Sequence, residues 1–181
     1  VVIVNEFGEI GIDHLLIEQA FEDTVLLENG CICCSIRGDL VDTLTNLQRK
    51  VGQGALPAFG RVVVETTGLA DPAPILQTLM SDERLREDYA LDRIVTTVDA
   101  INAAGQLDTF AEAVKQVAVS DLLLITKLDL AGKPISALRR RLREINVTAP
   151  VEAIEYGRAD PLVLFSTSMN PRKFEAQLNI T

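Results

Sequence analysis

Positive charge, aromatic rings and cysteine are all scarce in this sequence, and each scarcity narrows what the protein can be. Its 17 lysines and arginines face 26 aspartates and glutamates, a formal charge of −9, and only 4% of its 181 residues are aromatic. A chain so acidic repels a phosphate backbone unless its basic residues cluster, so nucleic acid is not an expected partner. No apolar run approaches the ~18 residues that span a bilayer, and the amino terminus lacks the charged-then-apolar layout of a secretion signal. Both absences argue against a membrane and for a soluble protein. The cysteines, at positions 31, 33 and 34 only, are a poor disulfide framework. They point to a thiolate cluster in a reducing compartment and hence to a cytoplasmic location. There is no internal repeat, low-complexity tract or interdomain linker. What remains, 48% hydrophobic and 24% charged, is an ordinary globular composition with room for one well-filled domain.

Six short β-branched or apolar runs punctuate the chain: Val1 to Val4, Val25 to Leu27, Arg61 to Val64, Arg93 to Val98, Leu122 to Thr126 and a weaker Val151 to Ile154. Helical stretches or long loops separate them, which predicts an α/β fold with a mostly parallel sheet flanked by helices. Val62-Val63-Val64 and Leu122-Leu123-Leu124-Ile125 are apolar on both faces, as expected of strands covered by helices on each side. Leu40, Leu44 and Leu47, Ile75 and Leu79, Phe110 and Val114, and Leu138 and Leu142 recur at helical spacing and predict core-facing stripes. Asp71-Pro72 predicts a helix start, with a capping carboxylate followed by a proline whose missing N–H costs nothing there. Gly52-Gln53-Gly54 and Ala131-Gly132-Lys133-Pro134 predict connections.

Three segments carry chemistry. Thr126-Lys127-Leu128-Asp129 follows a fully apolar strand, at the end where open α/β sheets bind ligands. A carboxylate there can accept two hydrogen bonds from the N–H and exocyclic amine of guanine, with the lysine stem along the base plane. Taken alone, the tetrapeptide is equally a polar loop. Glu65-Thr66-Thr67-Gly68-Leu69-Ala70-Asp71-Pro72 also follows a strand. Its glutamate can hold the water shell of Mg²⁺ and Gly68 can let a backbone N–H approach a terminal phosphate. The alternative is a strand-to-helix turn with an exposed Glu. In Glu28-Asn29-Gly30-Cys31-Ile32-Cys33-Cys34, thiolates at i, i+2 and i+3 can converge on a Zn²⁺ or Co²⁺ ion, with a further ligand from elsewhere. The acidic segment Asn5-Glu6-Phe7-Gly8-Glu9-Ile10-Gly11-Ile12-Asp13 has carboxylates to offer. Buried packing thiols and a redox pair are the alternatives.

Taken together and in this order, these segments resemble the CobW-type GTPases, P-loop proteins associated with handling zinc, cobalt and related metals. The resemblance runs from Asn5 to Asp129, with the remainder to about Phe165 compatible with the same domain. It implies that Glu65 is the acidic residue on the Mg²⁺ side and that Gly68 senses the terminal phosphate. It further implies that residues 5–13 form the first switch, with Glu9 near the metal, that Cys31, Cys33 and Cys34 supply thiolates, and that Thr126, Lys127 and Asp129 bind the guanine of GTP. The implied activity is a metallochaperone GTPase that couples GTP binding and hydrolysis to transfer of a transition-metal ion to a client metalloprotein. A non-catalytic thiolate metal-binding module and a thiol redox protein are the rival expectations.

One departure stands out. The family begins with a strand and a Gly-rich loop ending in Gly-Lys-Thr or Gly-Lys-Ser, which cradles the phosphates, and no such motif occurs in this sequence. The expectation is therefore a piece of a GTPase lacking its first strand, phosphate loop and first helix. Residues 1–169 would be a partial GTPase domain and 170–181 an exit segment toward an absent carboxy-terminal domain. Weak or absent nucleotide binding is the corollary. His14 reads as a surface residue near the first switch, and Arg139, Arg140, Arg141 and Arg143 as the solvated face of an amphipathic helix. Asp99 ends a strand and carries no assigned role.

Overall fold

A computed structural model describes residues 1–5, 24–26, 35–68, 70–132 and 134–165. The expectations for Glu9, His14, the three cysteines and residues 170–181 lie outside them. The described chain forms two compact units, Val1–Leu91 and Asp92–Thr181.

In the first unit β1 (Val2–Asn5) pairs in parallel with β2 (Thr24–Leu26) on one side and β3 (Val63–Thr66) on the other. Helix α1 (Ser35–Gly52) covers the ladder, and Leu40, Val41, Leu44 and Leu47 close a core with Ile3 and Leu85. The predicted leucine stripe is therefore its buried face. Helix α2 (Pro72–Ser81) starts where Asp71-Pro72 places it, with the Ala73 N–H donating to Asp71 Oδ1 at 3.0 Å. The short α3 (Glu83–Arg86) buries Leu85, and the Tyr89 hydroxyl ties this end to α1 by donating to the Leu44 carbonyl at 2.9 Å. One expectation needs correcting: Val63 is 40% exposed rather than buried on both faces. Among the described strands β3 is the outer one of its ladder, and an apolar run does not by itself say whether both faces of the strand are covered.

In the second unit β5 (Leu122–Thr126) lies between β4 (Val95–Asp99) and β6 (Val151–Ala153), all parallel. Leu122, Leu123, Leu124 and Ile125 are all buried, as both faces of a central parallel strand require. At roughly 1.5–3 kcal/mol per fully buried aliphatic side chain, this strand anchors the unit. Helices α4 (Ala103–Thr109), α5 (Ala111–Val119) and α6 (Ser136–Ile145) contribute Leu107, Val117 and Leu142 to a core shared with Leu123, Ile125 and Val151. The Phe110–Val114 stripe is corrected here. Phe110 is extended (φ −114°, ψ 116°), sits at the break between α4 and α5, and is 44% exposed. Two apolar residues four apart fit one continuous helix and two abutting ones equally well. Arg140, Arg141 and Arg143 are a solvated face, with Arg140 and Arg141 in long ion pairs with Glu144 and Asp108 at 3.8 and 3.6 Å, but Arg139 is not part of it: half-buried, it donates to the Val151 carbonyl at 2.8 Å and ties α6 to β6. A last helix, α7 (Pro161–Phe165), ends the described chain. No helix among the described residues is long and apolar enough to cross a membrane.

Candidate functional site

All six described strands run parallel to their partners, so in each unit the chain leaves the strands' carboxyl ends along one edge. In the first unit Leu26 of β2, Val4 of β1 and Glu65 of β3 stand in one row of the ladder. With strands about 4.8 Å apart, the outer two members are roughly 10 Å from one another. In sequence, Glu9 follows β1, Cys31, Cys33 and Cys34 follow β2, and helix α1 begins at Ser35, the residue after Cys34. Glu65 is exposed, and its carboxylate oxygens suit the hard Mg²⁺ ion, a site that would hold one or two protein oxygens and several waters. A Cβ built on Gly68 would meet nothing within 4 Å, so the space over this turn is open to an anion. Among the described residues no three His, Cys, Asp or Glu side chains converge on a point.

In the second unit the residues that follow β4, β5 and β6 are described. After β5 the backbone turns through Lys127, a left-handed residue at φ 57°, ψ 30°, into one turn of 3₁₀ helix, Leu128–Leu130, that displays Asp129 on the surface. A non-glycine residue in this conformation carries a conformational cost of order 1 kcal/mol or more, tolerated where neighbouring contacts hold it. Those contacts lie at the end of β4. The Ala100 N–H donates to the Thr126 carbonyl at 3.0 Å, the Thr126 hydroxyl reaches the Val98 carbonyl at 3.5 Å, and Lys127 Nζ meets Asp99 Oδ2 at 2.9 Å. At the end of β6 a tight turn, bridged between Glu155 and Arg158, puts Tyr156 and Gly157 at positive φ. There the Tyr156 N–H donates to Asp129 Oδ1 at 3.3 Å.

Thr126, Lys127 and Asp129 are thus brought together as expected, along with two groups the sequence reading did not assign. Asp99 is one, and its only signal was its place at a strand's end. The other is the Tyr156 N–H, a backbone group with no side-chain signature; the adjacent glycine in a turn was its sole hint. At this edge Asp129 presents an exposed carboxylate that accepts from the Tyr156 N–H and keeps lone pairs for further donors, next in the chain to Lys127, whose ammonium meets Asp99. An open depression along α6, lined by Ser136, Arg139, Arg140, Arg143, Glu144 and Val147, shares no residue with this edge.

Burial by itself raises the Asp99 carboxyl, but the Lys127 ammonium, the Ile101 and Asn102 amides and the Asn102 side chain outweigh it and hold the group at about 2, below the usual 3.8. A lowered carboxyl stabilises the fold above its unfolded pKa and loses that contribution as pH falls. With the Lys127 partner 53% exposed and screened by solvent, the second unit is therefore expected to lose about 1 kcal/mol or less between about pH 4 and pH 2 through this group. Asp99→Asn removes that part of the acid slope. Urea titrations of both forms at pH 6, 4 and 2.5 check this; identical slopes would refute it.

Comparison with known proteins identifies the family of the chain. Residues 1–152 match the nucleotide-binding domain of the CobW/HypB/UreG family. The chain is 42% identical over 167 residues to the zinc chaperone YjiA of Escherichia coli K12, covering 92% of this chain and 52% of that protein. It is 32% identical over 169 residues to the zinc-regulated GTPase metalloprotein activator 1 of Schizosaccharomyces pombe, covering 89% of this chain and 40% of that one. The crystal structure of Zn(II)-bound YjiA GTPase from E. coli superimposes with a TM-score of 0.67 at 31% identity, over 91% of this chain and 60% of that chain. The chain spans about half the length of the curated relatives it matches. With six parallel strands, a strand-end Thr-Lys-Leu-Asp and a matched length of 152 residues, the chain belongs to the CobW/HypB/UreG family of nucleotide-binding domains.

Proposed function

We propose that the protein containing this domain is a GTP-dependent metallochaperone. It binds a transition-metal ion through Cys31, Cys33 and Cys34, with Glu9 nearby, and couples GTP binding and hydrolysis to delivery of that ion to a client metalloprotein. The observation that carries this reading is the placement of Lys127 and Asp129 at the carboxyl edge of β4, β5 and β6, where Asp99 holds the lysine ammonium and the Tyr156 N–H donates to Asp129. The zinc chaperone and GTPase names of the relatives support it. In this scheme Thr126, Lys127 and Asp129 select guanine, Glu65 stands on the Mg²⁺ side, and Gly68 leaves room at the terminal phosphate. When bound, Mg²⁺ would neutralise phosphate charge. Zinc, or cobalt in its place, is cargo.

The row Leu26, Val4, Glu65 supports coupling, because the segments toward the thiolates, toward Glu9 and toward Gly68 all leave one edge of one ladder. A nucleotide that orders that edge alters the metal site, and by linkage the metal alters nucleotide affinity by the same factor. Co²⁺ added to the reduced protein is expected to give thiolate-to-metal charge-transfer absorption. Cys33→Ser/Cys34→Ser is expected to abolish it and to weaken zinc by at least about 100-fold. An unchanged spectrum in that variant would sink the thiolate assignment. Equal zinc affinity with and without GTP in the full-length protein would favour a metal-binding module with no nucleotide function.

A further inference from the structure

The guanine-type motif accounts for Asp129 and for the stem of Lys127, but it leaves Asp99 without a task. Four donors hold this carboxylate. Oδ1 accepts from the Ile101 N–H at 2.8 Å and the Asn102 N–H at 3.3 Å, and Oδ2 accepts from Asn102 Nδ2 at 3.0 Å and Lys127 Nζ at 2.9 Å. The side chain of Asp99 is 16% exposed, whereas that of Lys127 is 53% exposed. The acceptor is clamped and the lysine is open on its outer side. An ion pair so placed adds little to stability, because solvent screens the exposed partner. What it does is fix a direction. Asp99 and Thr126 are register partners on β4 and β5, and Lys127, one residue further and left-handed, sends its chain back across that pair to the end of β4.

We propose that Asp99 is a positioning residue of the base-binding site. By holding the Lys127 ammonium at the end of β4, it lays the lysine's methylene stem across the carboxyl ends of β4 and β5 as a ready-made apolar platform for one face of a guanine base. The inference rests on the guanine reading of Thr126 to Asp129. A free lysine must be immobilised when a ligand stacks on it, and that cost is subtracted from affinity; here the fold has already met it. Asp99 touches neither base nor phosphate in this scheme and acts only through Lys127.

The test is a double-mutant cycle on GDP affinity in the full-length protein, with ADP as the control ligand. Asp99→Asn suits it because the amide oxygen can still accept from the Ile101 and Asn102 N–H groups, which keeps the turn, while its NH₂ opposes the lysine ammonium. This change is expected to weaken GDP by about 10-fold, to raise the KM for GTP by a similar factor and to leave kcat unchanged. In a Lys127→Met background the same substitution is expected to have no further effect, because no ammonium is left to place. Asp99→Ser, which keeps a short oxygen acceptor, serves as second variant and is expected to behave alike. Wild-type GDP affinity in Asp99→Asn, or an equal loss in both backgrounds, would overturn the positioning role while leaving the guanine site standing. Failure of the wild-type protein to prefer GDP over ADP would overturn both.

Discussion

Asp129→Asn in the full-length protein is expected to weaken GDP and GTP by at least about 100-fold and to raise affinity for xanthine nucleotides. Guanine presents two donors side by side, and a carboxylate can accept both, each such charge-assisted bond contributing roughly 1.5–3 kcal/mol. The structure says how the variant's amide must turn. Asp129 Oδ1 already accepts the Tyr156 N–H, so the amide oxygen takes that place and the NH₂ faces the base. A donor then opposes guanine's exocyclic amine, whereas xanthine, with a carbonyl at that position, offers the acceptor the NH₂ needs. Competition of GDP, XDP and ADP against a fluorescent nucleotide measures the switch. A variant that keeps its preference for GDP over ADP and gains nothing for XDP would remove Asp129 from base recognition.

Asn146→Ala is expected to destabilise the second unit by about 3–4 kcal/mol, the largest stability effect of any single polar side chain described. Asn146 is 5% exposed. Its Nδ2 donates to the carbonyls of Val117, Ala118 and Ser120 at 2.9, 3.2 and 2.9 Å, and its Oδ1 accepts from the Thr148 N–H, the Thr148 hydroxyl and the Ala149 N–H at 3.0–3.1 Å. Carbonyls surround one end of the amide and donors the other, so its orientation is unambiguous. It pins the end of α5 to the turn that starts β6. Truncation strands several buried backbone groups at about 1 kcal/mol or more each. With an m-value of about 1–1.5 kcal/mol per molar for a unit of this size, the urea midpoint should fall by about 2–4 M. Asn146→Asp should be at least as damaging at neutral pH, because a carboxylate then faces three carbonyls, and should recover in part as it is protonated. A midpoint within 0.3 M of wild type for the alanine variant would show that water replaces the amide without cost.

All six strands lie within one or two residues of where the apolar runs place them, because a buried parallel strand needs a short run of branched side chains bounded by turns, a purely local pattern. Helix α2 begins at its Asp-Pro for an equally local reason. The errors share one cause as well. Exposure of Val63 and the break at Phe110 depend on what stands beside a strand or helix, and a window of neighbouring residues does not contain that information. The proposed base-binding motif is visible in the sequence because Thr126, Lys127 and Asp129 fall within four consecutive residues. The groups that hold it in shape, Asp99 and the Tyr156 N–H, lie 28 and 27 residues away from the partners they bind.

The sequence by itself thus determined the fold class, the order of the strands along the chain and the chemical types available at their ends, since each follows from the spacing of apolar, turn-forming and ligating residues. Only the tertiary structure decided which strands are neighbours, which one is an edge, and that Asp99, Lys127, Asp129 and Tyr156 meet at a single rim. Those outcomes are set by which helices and strands pack together and by hydrogen bonds between residues far apart in the chain, where neither propensity nor periodicity carries a signal.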